Sequence, residues 1–284
     1  MTAIDHTIAT PHANIRVRES EGRGMPLLMI HAAGASKEAF TRQFDAPLSQ
    51  IFRLIAIDLP GHGESADAYE PEAIYSYSGF GKVLRTVMDE LAIEKAAAFG
   101  WSLGGHVALE LLATDPRIAG LMITGAPPTN RGPIGFMNGF QMHRDMLLGS
   151  KEHLTLEDTG RLLRLYYRES EIPLAFAADL RRADGRSRPA VFRSMMRGHA
   201  SNHKKAIETS PVPVAVVNGA AEPLARLPYV NNLAYRNLWT GRPHLIAGAG
   251  HAPFWEKPDV FNALLMRFLA DVTEFARVKV AKTA

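Results

Sequence analysis

One serine of this 284-residue chain lies in a setting that suits nucleophilic attack. The segment Gly-Trp-Ser-Leu-Gly at residues 100–104 follows an apolar run at residues 96–99, which predicts a strand, and precedes a helical pattern at residues 103–112. In a Gly-x-Ser-x-Gly turn between a strand and a helix, the tight backbone exposes the serine hydroxyl and the glycines avoid steric clash. We therefore take Ser102 as the candidate nucleophile.

A serine nucleophile needs a base to remove its proton, and a histidine base needs a carboxylate to hold its tautomer. Of the 11 histidines, His251 is the one in the loop that follows the last predicted strand, at residues 244–246. Glu222 is the only acidic residue in the loop after the predicted strand at residues 212–217. Ser102, Glu222 and His251 are therefore the predicted catalytic triad.

Acyl transfer also needs donors for the oxyanion that forms on the carbonyl oxygen. We expect one donor to be the backbone N–H of Leu103, which directly follows the nucleophile. The second is expected from the small-residue loop at residues 31–34, as the backbone N–H of Ala33. His31, at the start of this loop, is expected to brace it rather than to react.

Short apolar runs alternate with helical patterns along the chain, which predicts an α/β fold with a mostly parallel central sheet flanked by helices. The predicted strands are residues 15–18, 27–30, 53–57, 96–99, 121–124, 212–217 and 244–246. The predicted helices outside the middle of the chain are residues 78–91, 103–112 and 259–275. Helical periods dominate residues 127–210, so we expect residues 1–126 and 211–284 to form one core and residues 127–210 an inserted helical cap.

Four segments together resemble the α/β-hydrolase superfamily over nearly the whole chain. They are His-Ala-Ala-Gly at 31–34, Asp-Leu-Pro-Gly-His-Gly-Glu-Ser at 58–65, the turn around Ser102, and Gly-His-Ala-Pro at 250–253. The resemblance implies the α/β-hydrolase fold. Two positions depart from the usual pattern, because Ala32 replaces a glycine and Glu222 replaces an aspartate.

Residues 17–22, 100–106, 120–125 and 216–219 are similar to the serine-type N-acyl-homoserine lactonases of that superfamily. This closer resemblance implies a Ser/Glu/His triad at Ser102, Glu222 and His251, and an N-acyl-homoserine lactone as substrate. The similarity weakens in the predicted cap. Ala33 stands where the lactonase pattern has a polar residue.

Apolar and aromatic residues in the predicted cap are candidates for an acyl pocket. Methionine and aromatic side chains cluster after residue 135, and methionine adapts to irregular apolar shapes. The alternative is that these side chains only pack the cap onto the core. The predicted substrate-binding residues are Trp101, beside the nucleophile, and Phe136, Phe140, Met146 and Tyr166.

The charge balance does not favour nucleic-acid binding. The chain has 32 basic and 29 acidic residues, a net charge of +3. Basic residues concentrate at residues 131–205, with 14 basic and 8 acidic side chains. This excess indicates either a solvated helical surface or a mild attraction for anionic substrates or products.

Other classes of site lack their sequence signals. Cysteine is absent, which excludes disulfides and thiol nucleophiles. We find no His-x-His-x-Asp-His, His-Glu-x-x-His or Gly-x-Gly-x-x-Gly pattern, so we expect neither metal nor other cofactor. No secretory signal or apolar run of membrane-spanning length is visible, so we expect a cytoplasmic protein without a membrane partner. We expect a monomer or a homodimer.

The hypothesis is a metal-independent serine hydrolase that opens an ester or lactone through an acyl-enzyme, with quorum-signal lactones as favoured substrates. Two alternatives stay open. One is a broad carboxylesterase, or a hydrolase of carbon–carbon bonds, that uses the same triad. The other is a small-molecule receptor that retains the triad without turnover.

Overall fold

The computed structural model describes residues 3–168 and 171–281, and an eight-stranded sheet lies at its centre. The strand order is β1-β2-β4-β3-β5-β6-β7-β8. Strand β2 is antiparallel to both of its neighbours, and all the other pairs are parallel. The strands are β1 (Ile4–Ala9), β2 (Asn14–Glu19), β3 (Gly24–Ile30), β4 (Phe52–Ile57), β5 (Ala96–Trp101), β6 (Ile118–Thr124), β7 (Val214–Gly219) and β8 (His244–Ile246).

Helices connect the strands and cover both faces of the sheet. The α-helices are α1 (Thr41–Phe44), α2 (Leu48–Ile51), α3 (Pro71–Ile74), α4 (Tyr77–Glu90), α5 (Leu103–Thr114), α6 (Gly132–Gly139), α7 (Leu156–Tyr167), α8 (Leu174–Arg182), α9 (Ser187–Met196), α10 (His203–Thr209), α11 (Leu227–Asn231), α12 (Pro253–Glu256) and α13 (Pro258–Ala281). Three 3₁₀ segments are Lys37–Phe40, Arg144–Ser150 and Trp239–Gly241. None of the helices in the described part of the chain is both long and apolar enough to span a membrane.

Burial on both faces explains why the central strands are continuous apolar runs. Every residue of β5 and β7 is buried, as expected for parallel strands covered by helices on each side. Alternate residues of β3 enter two separate clusters: Leu27 and Met29 pack on one face, and Leu28 and Ile30 on the other. The sheet therefore has two cores, one on each face.

The predicted fold class is confirmed, with differences at the edges of the sheet. Strand β1 was not predicted, because its sequence mixes polar and apolar residues and Ile8 is its one apolar side chain classed as buried. Strand β6 begins at Ile118, three residues before the predicted run. Helix α4 (Tyr77–Glu90) coincides with the predicted helix at residues 78–91, and Ser76 caps it by accepting a hydrogen bond from the Gly79 N–H.

Between β6 and β7 the chain forms helices α6 to α10 and the 3₁₀ segment Arg144–Ser150. We call residues 127–210 the 127–210 segment. Its described part, residues 127–168 and 171–210, contains no strand. The Thr155 and Asp158 side chains form a reciprocal cap at the start of α7. This helical run supports the prediction of an inserted cap, which stays a prediction.

Candidate active site

Ser102 lies in a strained turn between β5 and α5. Its backbone has φ 55° and ψ −117°, a conformation that is costly for a residue with a side chain. A Cβ atom on Gly100 would lie 2.3 Å from the Gly104 carbonyl oxygen, and one on Gly104 would lie 2.0 Å from the Ile30 carbonyl oxygen. Glycine at both positions therefore lets the turn pack closely, as the Gly-x-Ser-x-Gly pattern predicts.

His251 and Glu222 form a buried pair at the same edge of the sheet. Glu222 follows β7 and His251 follows β8, so the carboxyl ends of two parallel strands bring them together. His251 Nδ1 lies 2.9 Å from both Glu222 carboxylate oxygens, and both side chains are fully buried. The contact holds the imidazole in one orientation.

The Glu222 carboxylate is held ionised by its neighbours. Burial alone would raise its pKa, but His251 and two backbone donors outweigh burial and lower it. The Leu224 N–H donates at 2.7 Å and the Ala225 N–H at 3.1 Å to Oε1. An ionised carboxylate is an acceptor for an N–H group at His251 Nδ1.

The second ring nitrogen of His251 is available for proton transfer. His251 Nε2 is buried and has no hydrogen-bond partner among the described residues, so the structure shows no hydrogen bond from Ser102 to it. The Trp101 Nε1–H donates to the His251 carbonyl oxygen at 2.8 Å. The backbone and one ring nitrogen are thus fixed, while the other nitrogen can act as a base.

Gly125, directly after β6, was not predicted from the sequence as part of the site. It has φ +63°, and a Cβ atom there would lie 2.5 Å from His251 Cε1 and 2.7 Å from His251 Nδ1. Its N–H donates to the Asn218 side chain at 2.8 Å. The sequence signal for Gly125 is its place directly after the predicted strand at residues 121–124, since the loops that follow the strands carry the proposed triad.

The loop at residues 31–34 is braced on two sides. Leu59 N–H donates to His31 Nε2 at 3.0 Å, and His31 Nδ1 lies 2.8 Å from the Ala32 carbonyl oxygen. Burial lowers the pKa of His31 to about 4, so it is neutral. The Tyr166 hydroxyl donates to the Ala33 carbonyl oxygen at 3.1 Å. These contacts fix the Ala33 peptide, the predicted oxyanion donor.

The second predicted donor is Leu103, the first residue of α5. The first N–H groups of a helix have no carbonyl partner within the helix. Ser102, Leu103 and Ala33 all line one cavity of about 140 Å³. The structure therefore brings the proposed nucleophile and both proposed oxyanion residues to one space.

Four of the five predicted substrate-binding residues line the same cavity. They are Phe136, Phe140, Met146 and Tyr166. Burial raises the pKa of Tyr166 to about 12, so its hydroxyl is neutral and donates to the Ala33 carbonyl oxygen rather than facing substrate alone. These side chains give the cavity that Ser102 also lines a largely apolar surface.

Trp101 is the predicted substrate-binding residue that the structure does not place at the cavity. Its side chain is fully buried and is not among the cavity-lining residues that the structure describes. It contacts the rings of Tyr166, His251 and Phe254 and donates to the His251 carbonyl oxygen. The strand direction explains the difference, because successive side chains alternate between faces and Trp101 points into the core. The Trp101 indole thus contacts His251 instead of lining the cavity.

Several cavity-lining residues were not predicted. Two of them carry charge: Asp145, which pairs with Arg161, and Arg188. Others come from distant elements, such as Tyr77 of α4 and Leu224 after β7. Only the basic composition of the 127–210 segment pointed toward Arg188. The described residues contain no group of three or more histidine, aspartate or glutamate side chains placed to hold a metal ion.

Comparisons with known proteins agree with this fold. The sequence profile of the alpha/beta hydrolase family matches residues 27–264. The solved structure of a variant of the N-acyl homoserine lactonase AidH with N-hexanoyl homoserine matches with a TM-score of 0.92 and 40% identity, covering 96% of this chain and 98% of that one. A putative aryl esterase from Burkholderia cenocepacia matches with a TM-score of 0.80 and 26% identity, covering 95% and 100%.

A curated relative has different chemistry in its name. A 2-hydroxy-6-oxononadienedioate/2-hydroxy-6-oxononatrienedioate hydrolase from Pseudomonas sp. is 25% identical over 94% of this chain and 95% of its own. The resemblance to N-acyl-homoserine lactonases predicted from short segments is confirmed as a similarity of the whole fold. On the family match and this similarity, the chain belongs to the alpha/beta hydrolase family.

Proposed function

We propose that this protein hydrolyses N-acyl-homoserine lactones, with Ser102 as nucleophile, His251 as general base and acid, and Glu222 as the carboxylate that orients His251. The observation that carries the lactone substrate is the similarity to AidH, at 40% identity over 96% of the chain. The serine mechanism is supported by the strained turn at Ser102 and by the buried His251–Glu222 contact of 2.9 Å.

In the first step, Ser102 Oγ attacks the lactone carbonyl carbon and His251 Nε2 takes the hydroxyl proton. The negative charge that forms on the carbonyl oxygen is stabilised by the backbone N–H groups of Ala33 and Leu103. The ring carbon–oxygen bond then breaks, and His251 returns the proton to the departing alkoxide. The product is an acyl-enzyme that still carries the homoserine alcohol.

In the second step, His251 Nε2 takes a proton from a water molecule that attacks the acyl carbon. Collapse of the tetrahedral intermediate breaks the bond to Ser102 Oγ, which recovers the proton from His251. N-acyl-homoserine leaves as the free acid. The fixed Nδ1–H contact to Glu222 stabilises the imidazolium in both steps. Neither reaction step needs a metal ion.

The apolar cavity suits an acyl chain. Most lining side chains that the structure describes are aromatic or aliphatic, among them Phe136, Phe140 and Met146. Burying methylene groups against them contributes about 0.8 kcal/mol per group. We therefore expect affinity to rise with acyl length until the chain fills the cavity.

The test is ring opening of N-hexanoyl-L-homoserine lactone, followed by chromatography of the acid product. We expect metal-free turnover by the wild type that is unchanged by EDTA. Ser102→Ala should lower kcat by about 10³-fold or more, because the triad acts as a unit. Ser150→Ala removes a hydroxyl that donates to the Leu147 carbonyl oxygen and should leave kcat unchanged.

Two outcomes would redirect the proposal. Hydrolysis of short p-nitrophenyl esters without lactone opening would assign a general esterase, a function that the aryl esterase similarity also supports. Stoichiometric lactone binding without turnover would assign a receptor. Equal lactonase rates for wild type and Ser102→Ala would overturn the mechanism itself.

A further inference from the structure

Arg188 contributes a charged side chain to the lining of an otherwise largely apolar cavity. We propose that Arg188 determines specificity there by binding an acceptor oxygen on the acyl part of the substrate, away from the reacting carbonyl. The inference deepens the proposed function and rests on it for the lactone headgroup. It makes the favoured substrate an oxygen-bearing acyl group rather than a plain alkanoyl chain.

The guanidinium is anchored along one edge. Arg188 is 5% exposed and lies near the start of α9. Its Nε donates to the Lys151 carbonyl oxygen at 2.7 Å, and its Nη2 donates to the Glu152 carbonyl oxygen at 2.9 Å. Two backbone contacts on the same edge fix the plane of the group, so the position of Nη1 is preorganised.

The other edge of the guanidinium has donors to spare. Nη1 is buried and has no hydrogen-bond partner among the described residues. An arginine carries five N–H donors, and a buried donor without an acceptor costs free energy. A ligand oxygen that reaches Nη1 removes this cost, whereas an alkyl group leaves it in place.

Among the described residues, the charge of Arg188 is met by longer-range attraction to Asp184 and not by an ion pair. No carboxylate forms an ion pair with it in the described parts of the chain. The nearby acids serve other cations, since Asp145 pairs with Arg161 and Asp184 pairs with Arg186 at 2.6 Å. Burial lowers the pKa of Arg188, but a guanidinium stays charged at neutral pH. A buried cation with neutral partners favours an anionic or strongly polarised acceptor.

The same cavity holds both ends of the proposed contact. Ser102 and Arg188 line it together, with Leu165, Val191 and Phe192 among the apolar residues between helices α7 and α9. A substrate whose carbonyl lies at Ser102 therefore extends its acyl chain along a wall that contains one cationic donor. Both a ketone oxygen and a carboxylate have the required acceptor chemistry.

The experiment measures binding by calorimetry to Ser102→Ala protein, which holds the lactone without opening it. The three probes are N-hexanoyl-, N-(3-oxohexanoyl)- and N-(5-carboxypentanoyl)-L-homoserine lactone. We expect at least one oxygen-bearing probe to bind about tenfold more tightly than N-hexanoyl lactone, as a hydrogen bond to a charged group provides. The ketone and the carboxylate arms distinguish the two sources of oxygen.

Adding Arg188→Met to the Ser102→Ala protein should abolish the preference. Arg193→Met, in the same helix, is the matched control, because its exposed guanidinium pairs with Glu72 at 3.2 Å and lies outside the cavity lining. If Arg188→Met does not fold, the ratio of kcat/KM values for the same probes in the wild type decides. Equal values for all three probes, or a preference that survives Arg188→Met, would overturn the inference.

Failure of the proposed function gives a different pattern. If the wild type opens none of the lactones, yet Ser102→Ala protein still prefers an oxygen-bearing probe through Arg188, the inference stands and the lactonase assignment falls. If the wild type opens all three lactones equally well, the lactonase assignment stands and the inference about Arg188 falls. Failure of all three probes to bind counts against the inference.

Discussion

At the scale of single residues, three contacts hold the His251 imidazole in place. Glu222 lies 2.9 Å from Nδ1, Trp101 donates to the backbone carbonyl oxygen at 2.8 Å, and Gly125 packs against the ring. The free Nε2 is therefore presented in one direction only. Catalytic rates depend steeply on such placement, since an error of about 1 Å costs about 10²-fold.

The close approach of Gly125 to the imidazole is testable with Gly125→Ala. The new methyl group would lie 2.5 Å from His251 Cε1, so the imidazole must move. We expect kcat for lactone or ester hydrolysis to fall by about 10²-fold, with a smaller change in KM. Steady-state kinetics on the folded variant measure both values.

Gly241→Ala provides the matched control for backbone strain. Gly241 has φ +70°, close to the φ of +63° at Gly125, but nothing lies within 4 Å of a Cβ atom there. Both variants should lose about 1–2 kcal/mol of stability from the left-handed backbone. Only Gly125→Ala should lose activity, and equal losses of activity in both would contradict the steric argument.

At the scale of elements, helix α5 is joined to the 127–210 segment through the Glu110 carboxylate. Ser201 donates to Glu110 from its N–H at 2.8 Å and from its hydroxyl at 3.0 Å, and the Ser78 hydroxyl donates from α4 at 3.0 Å. His203 of α10 lies 3.5 Å away. One buried carboxylate thus links three parts of the chain.

The stability that Glu110 contributes should depend on pH. Burial would raise its pKa, but the contacts with His203 and Ser201 outweigh burial and lower it from about 4.5 to about 2. Because folding lowers the pKa, the ionised carboxylate stabilises the protein above pH 4.5, and this contribution is lost as the pH falls toward 2. Urea unfolding of wild type and Glu110→Gln at several pH values measures it.

We expect Glu110→Gln to lower the free energy of unfolding by about 1–3 kcal/mol at neutral pH. The difference from wild type should stay constant down to about pH 4.5 and shrink at lower pH. Glu90→Gln, at an exposed position of α4, should show no comparable difference at any pH. If the difference in the free energy of unfolding between wild type and Glu110→Gln does not change with pH, the carboxylate charge does not contribute to stability.

At the scale of the whole molecule, one face of the sheet and the 127–210 segment share a single hydrophobic cluster. Phe176 of α8 packs on Tyr167 of α7 with a ring separation of 5.0 Å. It also packs on Trp255 of α12, close after His251, with a separation of 4.8 Å. The proposed cap and the sheet are therefore expected to unfold together.

Phe176→Ala tests this coupling. Phe176 is 5% exposed, and removing a buried phenylalanine side chain costs about 3–5 kcal/mol. We expect tryptophan fluorescence, which reports on Trp101, Trp239 and Trp255, and far-ultraviolet circular dichroism to shift together to lower denaturant concentration.

Leu174→Ala in the same helix is the control, because Leu174 is 91% exposed. Its effect should stay within about 0.5 kcal/mol of the wild type. If Phe176→Ala separates the two signals into distinct transitions, the 127–210 segment unfolds independently of the sheet.

The amino-acid sequence was sufficient to predict the central strands, the main helices of the core and the chain order of the proposed triad. Buried parallel strands are short apolar runs, and the loops after them carry the chemistry, so Ser102, Glu222 and His251 were identified from local patterns. Strand β1 was not predicted, because its polar and apolar residues do not alternate regularly. Local patterns report which residues share a face, and they contain no distances.

Which side chains meet at the site became known from the folded structure. Arg188, Gly125 and Leu224 come from distant segments, yet they lie at the cavity or against His251. Trp101 is adjacent to Ser102 in sequence, yet its side chain is buried and is not among the cavity-lining residues, because neighbouring strand residues point to opposite faces. Long-range packing brings these residues together, and it depends on the volumes and contacts of the whole chain.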